Sequence, residues 1–115
     1  MAELDKNLLY YLCGPMTGYP HHNYPEFMSK SQYLRELGYM IVNPAELHPQ
    51  PKEDYTEEYW ISVLKRDLSA LLACEGLILL DGWEKSRGAT LEHYVAKSLS
   101  YNVLNIRECL KNEDN

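Results

Sequence analysis

The chain has 115 residues, 45% hydrophobic and 24% charged, and 11 lysines and arginines against 17 acidic residues leave a net charge of -6. That length holds one α/β core over residues 1–115 and no separate catalytic domain, so a site has to be built on the core itself, or with a neighbouring subunit's help. The acidic balance argues against a footprint on long nucleic acid, no apolar run is long enough to span a membrane, and a small molecule in a cytoplasmic setting is the expected partner.

The N-terminus carries no signal-peptide pattern. Cys13, Cys74 and Cys109 are scattered and odd in number, which suggests neither a disulfide framework nor a thiolate metal site. Residues 8–13, Leu-Leu-Tyr-Tyr-Leu-Cys, form an apolar run stopped by Gly14-Pro15 and read as a buried first strand. A glycine-bounded loop covers residues 14–25. A helix is expected over residues 26–37, carrying Phe27, Leu34 and Leu37 and closed by Gly38. Residues 39–42 give a second strand, broken by Asn43-Pro44, and the proline-containing stretch 45–54 reads as loop. The longest amphipathic helix is expected over residues 55–75, with Trp60, Leu64, Leu68, Leu71 and Leu72 at helical spacing and Gly76 at its end. Residues 77–80 are the uninterrupted apolar run of a central parallel strand. A polar loop over 84–88, a helix over 89–101, a last strand over 103–106 and a flexible tail over 108–115 complete the chain. This β-α-β-α-β-α-β order predicts an α/β, Rossmann-like or flavodoxin-like parallel sheet of four strands, or five, in spatial order 2-1-3-4 with helices on both faces. Ligands of such sheets sit beyond the carboxyl ends of the strands, between strands 1 and 3, which singles out the loops 14–25 and 81–88.

Two carboxylates stand where apolar side chains are expected. Glu92 shares a helical stripe with Val95, Ala96 and Leu99. A capping box is one ordinary explanation, but the residue three places earlier is Ala89, which has no hydroxyl; attraction to the helix dipole, worth roughly 0.3–1 kcal/mol, is another. Asp67 borders the apolar face formed with Val63, Leu64 and Leu71 and has no helical salt-bridge partner, so it is either a rim carboxylate bonded to another loop or half of a functional pair. Cleavage of a glycosidic bond needs such a pair, one group to attack and one to protonate the leaving group. Gly14, Met16, Thr17 and Gly18 follow strand 1, where a backbone can approach a ligand, although the same residues also make an ordinary turn. Ser86, Arg87 and Gly88 precede the last helix and combine a hydroxyl, a guanidinium and a helix N-terminus suited to an anion; a plain polar loop reads similarly. The four histidines show no metal-ligand spacing, and neither metal nor cofactor is expected.

Taken together, Tyr11-Leu12-Cys13-Gly14-Pro15-Met16-Thr17-Gly18, Asn43-Pro44-Ala45-Glu46, Arg66-Asp67-Leu68 and the stretch from Gly82 to Glu92 resemble the nucleoside 2-deoxyribosyltransferase superfamily, including its 2'-deoxynucleoside 5'-monophosphate N-glycosidases. The resemblance spans residues 11–106. It implies Glu92 as the nucleophile on C1' of the sugar, Tyr11 as the hydroxyl that orients it, and Asp67 as the acid near the leaving base. Ser86 stands six residues before Glu92, where monophosphate hydrolases have a phosphate-binding serine. Thr17 stands where those hydrolases commonly carry an arginine, and Arg87 is positioned to supply that charge from the other loop. Trp83 and Met16 are expected to flank the base. Tyr94 replaces the small residue usual two places after the nucleophile, and by resemblance a homodimer or higher homo-oligomer is expected, which the abundant Tyr and Trp fit. The function implied is hydrolysis of a (deoxy)nucleoside 5'-monophosphate at its base–sugar bond. The alternatives are transfer between bases on unphosphorylated nucleosides, and non-catalytic binding of a nucleotide signal.

Overall fold

Alternating side chains along four short strands decide which helices cover which face of the sheet. The computed structural model describes residues 3–48 and 56–111, with the backbone alone for Lys111. Strand β1 (Leu9–Cys13) runs parallel to β2 (Met40–Val42) on one side and to β3 (Gly76–Leu79) on the other, and β4 (Asn102–Asn105) lies beyond β3. The order is the expected 2-1-3-4, with Tyr11 paired to both Val42 and Leu77. Among the described residues there is no fifth strand. Every residue of β3 is buried, as a central strand between two helical layers requires.

Tyr10, Leu12, Ile78 and Leu104 point to the face covered by α1 (Tyr24–Glu36) and α5 (Ile106–Lys111), against Phe27, Leu34, Ile106 and Cys109. Tyr11, Cys13, Leu77 and Leu79 point to the opposite face, covered by α3 (Glu57–Leu72) and α4 (Arg87–Ser98) through Leu71, Ala89 and Ala96. Period-two alternation therefore puts Tyr11 on the same side of the sheet as the two helices that carry Asp67 and Glu92.

Several boundaries differ from the sequence reading, each for an identifiable reason. Residues 45–47, expected as loop, join Pro44 in the short helix α2 (Pro44–Leu47): the Asn43 side chain accepts from Ala45 N at 2.9 Å, and Pro44 occupies the first helical position. The pair that breaks the strand is thus also a helix start; residues 49–54 of the expected loop lie outside the described residues. Helix α3 starts after Thr56, whose Oγ1 accepts from Tyr59 N at 3.0 Å, and stops at Leu72. Gly76 does not end it but begins β3, where a Cβ would fall 2.5 Å from the Tyr10 ring and 2.9 Å from Asn102 O. Helix α4 begins two residues early because Ser86 caps it, accepting from Ala89 N at 3.2 Å. Ile106, expected in the last strand, and residues 108–111, expected in a flexible tail, instead form α5. Asn105 accepts from Arg107 N at 3.1 Å while Glu108 Oε1 accepts from Asn105 N at 3.0 Å, a reciprocal cap, and Cys109 is fully buried in the core. Residues 112–115 of that tail lie outside the described residues. No helix of the described residues is long and apolar enough to cross a membrane.

Candidate active site

A cleft of ≈ 440 Å³ opens beyond the carboxyl ends of β1, β2 and β3, lined by the loops that follow each strand and by one side of α3. Tyr11, Asp67 and Glu92 all line it. Each arrives there by a local rule: Tyr11 by strand alternation, Asp67 four residues before the buried Leu71 of α3, and Glu92 between Ala89 and Ala96 on the inward stripe of α4. The two acids occupy core-facing helical positions and are 7% and 6% exposed. Burial of unpaired carboxylates is costly, so their partners matter.

Glu92 accepts a hydrogen bond through Oε2 from Tyr11 Oη at 2.6 Å. Burial pushes its carboxyl up to about 8; the Tyr11 hydrogen bond opposes this, the negative charge of Asp67 adds to it, and a hydrogen bond from Cys13 opposes it. The Tyr11 hydroxyl is itself held well above its ordinary range, by burial first and by the charge of Glu92 second, so it remains a donor throughout the neutral range. Asp67 meets His48, whose Nε2 stands 2.8 Å from Oδ1; the imidazole is 7% exposed. Burial raises the Asp67 carboxyl to about 6, with His48 and then Arg66 pulling it down. Burial thus raises both carboxyls above their ordinary range, Glu92 further than Asp67, so the cleft holds a shared proton near neutrality.

Of the residues expected to bind substrate, Gly14, Met16, Thr17, Ser86, Arg87 and Gly88 line the cleft. Gly14 is held to glycine by packing, since a Cβ there would lie 2.8 Å from Leu80 Cβ. Ser86 accepts the capping bond of α4, which leaves its O–H free in geometry to donate elsewhere. Arg87 lies at the mouth, its guanidinium 3.9 Å from the centre of the Trp60 ring and joined to both carboxylate oxygens of Glu57 at 3.0 Å.

Gly18 and Trp83 are not in the cleft. Gly18 adopts a positive φ of 89° in the turn after Met16, so its glycine serves the turn. Trp83 follows Gly82 in a 3-10 turn over Trp83–Lys85 and packs against the core cluster on the α3 and α4 side of the sheet, its ring 4.3 Å from that of His93. The aromatic wall is supplied instead by Trp60, which the helical spacing marks only as an apolar-stripe residue. Glu46 points away, paired with Arg35 at 2.7 Å, whereas its neighbour Pro44 lines the cleft. Tyr94 is 70% exposed and does not crowd the helix packing.

His48 is the residue that sequence reasoning passed over. Its one local signal is position: it follows α2 just beyond the carboxyl end of β2, where loops of a parallel sheet gather ligands. Nothing in the spacing links it to Asp67, 19 residues later. Among the described residues no group of three or more His, Cys, Asp or Glu side chains is placed to hold a metal ion.

Fold and site together define a Rossmann-like α/β domain with a buried, differentially titrating carboxylate pair at the switch point of its sheet. The solved structure of a 2-deoxyribosyltransferase from the psychrotolerant bacterium Bacillus psychrosaccharolyticus has this fold: it matches with a TM-score of 0.63 and 21% identity, over 84% of this chain and 70% of that one. The model of a family described as a domain of unknown function, DUF4406, matches residues 8–105, and the chain belongs to that family. Comparison with curated proteins gives no match.

Proposed function

We propose that this domain is an N-glycosidase that hydrolyses the base–sugar bond of a (deoxy)nucleoside 5'-monophosphate through a glycosyl-Glu92 intermediate. The observation that carries the reading is the Tyr11–Glu92 hydrogen bond at the floor of the cleft, with Asp67 facing the same space. The structurally similar protein is a 2-deoxyribosyltransferase, and base–sugar chemistry is carried over to this chain on the strength of that fold together with the carboxylate pair.

In the first step a Glu92 oxygen bonds to C1', the C1'–N bond breaks, and its electron pair leaves with the base, which takes a proton from Asp67. In the second, water attacks C1' while the Asp67 carboxylate accepts its proton, and the ester to Glu92 breaks to release the sugar phosphate. The reactive form of the pair carries one proton, on Asp67. Tyr11 favours it by donating to ionised Glu92. The N-terminus of α4, with Ser86, Gly88 and Arg87 on the cleft wall, supports a phosphate at the mouth. A homo-oligomer belongs to the same proposal, supported by exposed Leu91 and Tyr94 on α4.

One observation favours a second reading, base exchange on unphosphorylated nucleosides: Glu57 already neutralises Arg87, so the mouth carries no free positive charge from that side chain. The two readings separate in one experiment. Purified protein is incubated with a panel of nucleosides and 5'-monophosphates, with and without an acceptor base, and products are resolved by chromatography. Hydrolysis gives free base and sugar phosphate, and transfer gives an exchanged nucleoside. No released or exchanged base across the panel overturns both, and a Glu92→Ala protein that turns over at the wild-type rate overturns the glycosyl-Glu92 mechanism.

A further inference from the structure

His48 does not line the cleft, yet its imidazole and the carboxyl of Asp67 are both buried and 2.8 Å apart. A buried polar pair adds little net stability over a well-packed apolar pair of similar volume, so stability alone gives this arrangement no purpose. Its support is rigid. Asn43, fully buried, donates to Phe27 O at 3.2 Å and Ser31 Oγ at 3.0 Å and caps α2, the helix that ends at His48. The groups acting on Asp67 are His48 from the end of α2, Arg66 from its own helix, and Tyr11 and Glu92 from β1 and α4. His48 is the one that makes the hydrogen bond.

We propose that His48 is a positioning residue for the acid: its Nε2 commits Oδ1 of Asp67 to the imidazole, so that the proton taken by the departing base is carried on Oδ2. This rests on the N-glycosidase reading. In this assignment the imidazole carries its hydrogen on Nε2 and donates to Oδ1, and a neutral Asp67 carboxyl then carries its own proton on Oδ2. The imidazole also favours the ionised carboxylate, and its removal therefore moves Asp67 titration to higher pH.

The test compares wild type with His48→Ala and His48→Gln, the latter keeping an N–H donor without the imidazole. In His48→Ala, kcat falls by about 10- to 100-fold with KM little changed, as for a general acid that has lost its orientation. His48→Gln recovers most of that loss. In His48→Ala the acidic limb of the kcat/KM profile moves to higher pH, which a loss of folding alone would not do, and His48→Gln, which keeps the donor, brings it back toward wild type. Wild-type turnover with unshifted limbs in both variants overturns the assignment and leaves the glycosidase reading standing. Where wild type turns nothing over, that reading fails separately, and carbon NMR titration of the Asp67 carboxyl decides the pairing: a midpoint at higher pH in His48→Ala than in wild type and His48→Gln supports it, and the same midpoint in all three overturns it.

Discussion

Tyr11 Oη and Glu92 Oε2 stand 2.6 Å apart although 81 residues separate them in the chain, and both residues are buried and line the cleft. The bond joins the central strand to the inward stripe of α4, so the carboxylate is oriented by the most deeply buried part of the fold. A preorganised donor in a water-poor site contributes far more than the same hydroxyl in water.

Tyr11→Phe removes only that hydroxyl. The ring still fills its place, so the thermal midpoint changes little, while Glu92 loses the donor that favours its charged form. We expect kcat/KM to fall by about 10- to 100-fold and the alkaline limb of its pH profile to move further up. A variant with wild-type rates and limbs would show that the bond does no more than hold the helix.

The wild-type pH profile should be bell-shaped. Loss of the first proton from the pair falls near 6 and loss of the second near 8, so kcat/KM peaks around neutrality and declines on both sides. The dominant singly protonated form carries its proton on Glu92, so the reactive form with the proton on Asp67 is a minority. A profile flat from pH 5 to 9 is inconsistent with this pair.

Glu92 also opposes folding at high pH. Its folded-state value, about 8, lies above the ordinary 4.5, so its contribution is fully present below 4.5 and is lost as pH rises through 8. The displacement corresponds to roughly 5 kcal/mol in favour of the protonated form, an upper bound because the folded state relaxes. Glu92→Gln should therefore match wild type at pH 5 and exceed it at pH 9 by at least ~4 °C in Tm. Differential scanning calorimetry at the two pH values checks this, and equal midpoints at pH 9 would contradict the burial of the charge.

Arg87 separates the two substrate readings. If phosphate engages it, Arg87→Ala raises KM for 5'-monophosphates by about 10-fold and leaves nucleosides unaffected. Glu57→Gln then does the reverse for the monophosphates, since it frees the guanidinium that Glu57 holds at 3.0 Å. Unchanged KM values for the monophosphates in both variants place the phosphate elsewhere.

Asn43→Ala should cost about 2–3 kcal/mol, because it removes a helix cap and two buried hydrogen bonds to α1. Urea denaturation gives the shift of the midpoint.

Much of this molecule was legible in the residue pattern. Apolar runs of four to six residues separated by helical periodicities point to a parallel α/β sheet, and the order 2-1-3-4 expected for it is the one the structure has. The same periodicities expose Asp67 and Glu92, since an acid on an apolar stripe is visible to anyone counting by 3.6. Strand alternation then fixes Tyr11 on their side of the sheet.

Other features depended on contacts between distant segments. Gly76 looks like a helix terminator until Tyr10 and Asn102 are placed against it. Ile106, Cys109 and Leu110 read as strand end and tail until the core that receives them exists. Trp83 and Trp60 exchange their expected places because one turn at Gly82 aims the first at His93, while the packing of α3 puts the second in the cleft wall. His48 and Asp67 meet only once α2 and α3 lie side by side. Periodicity along a chain reports which face a side chain takes; the partner across that face is set by tertiary packing, and the ionisation of a buried acid is decided by that partner.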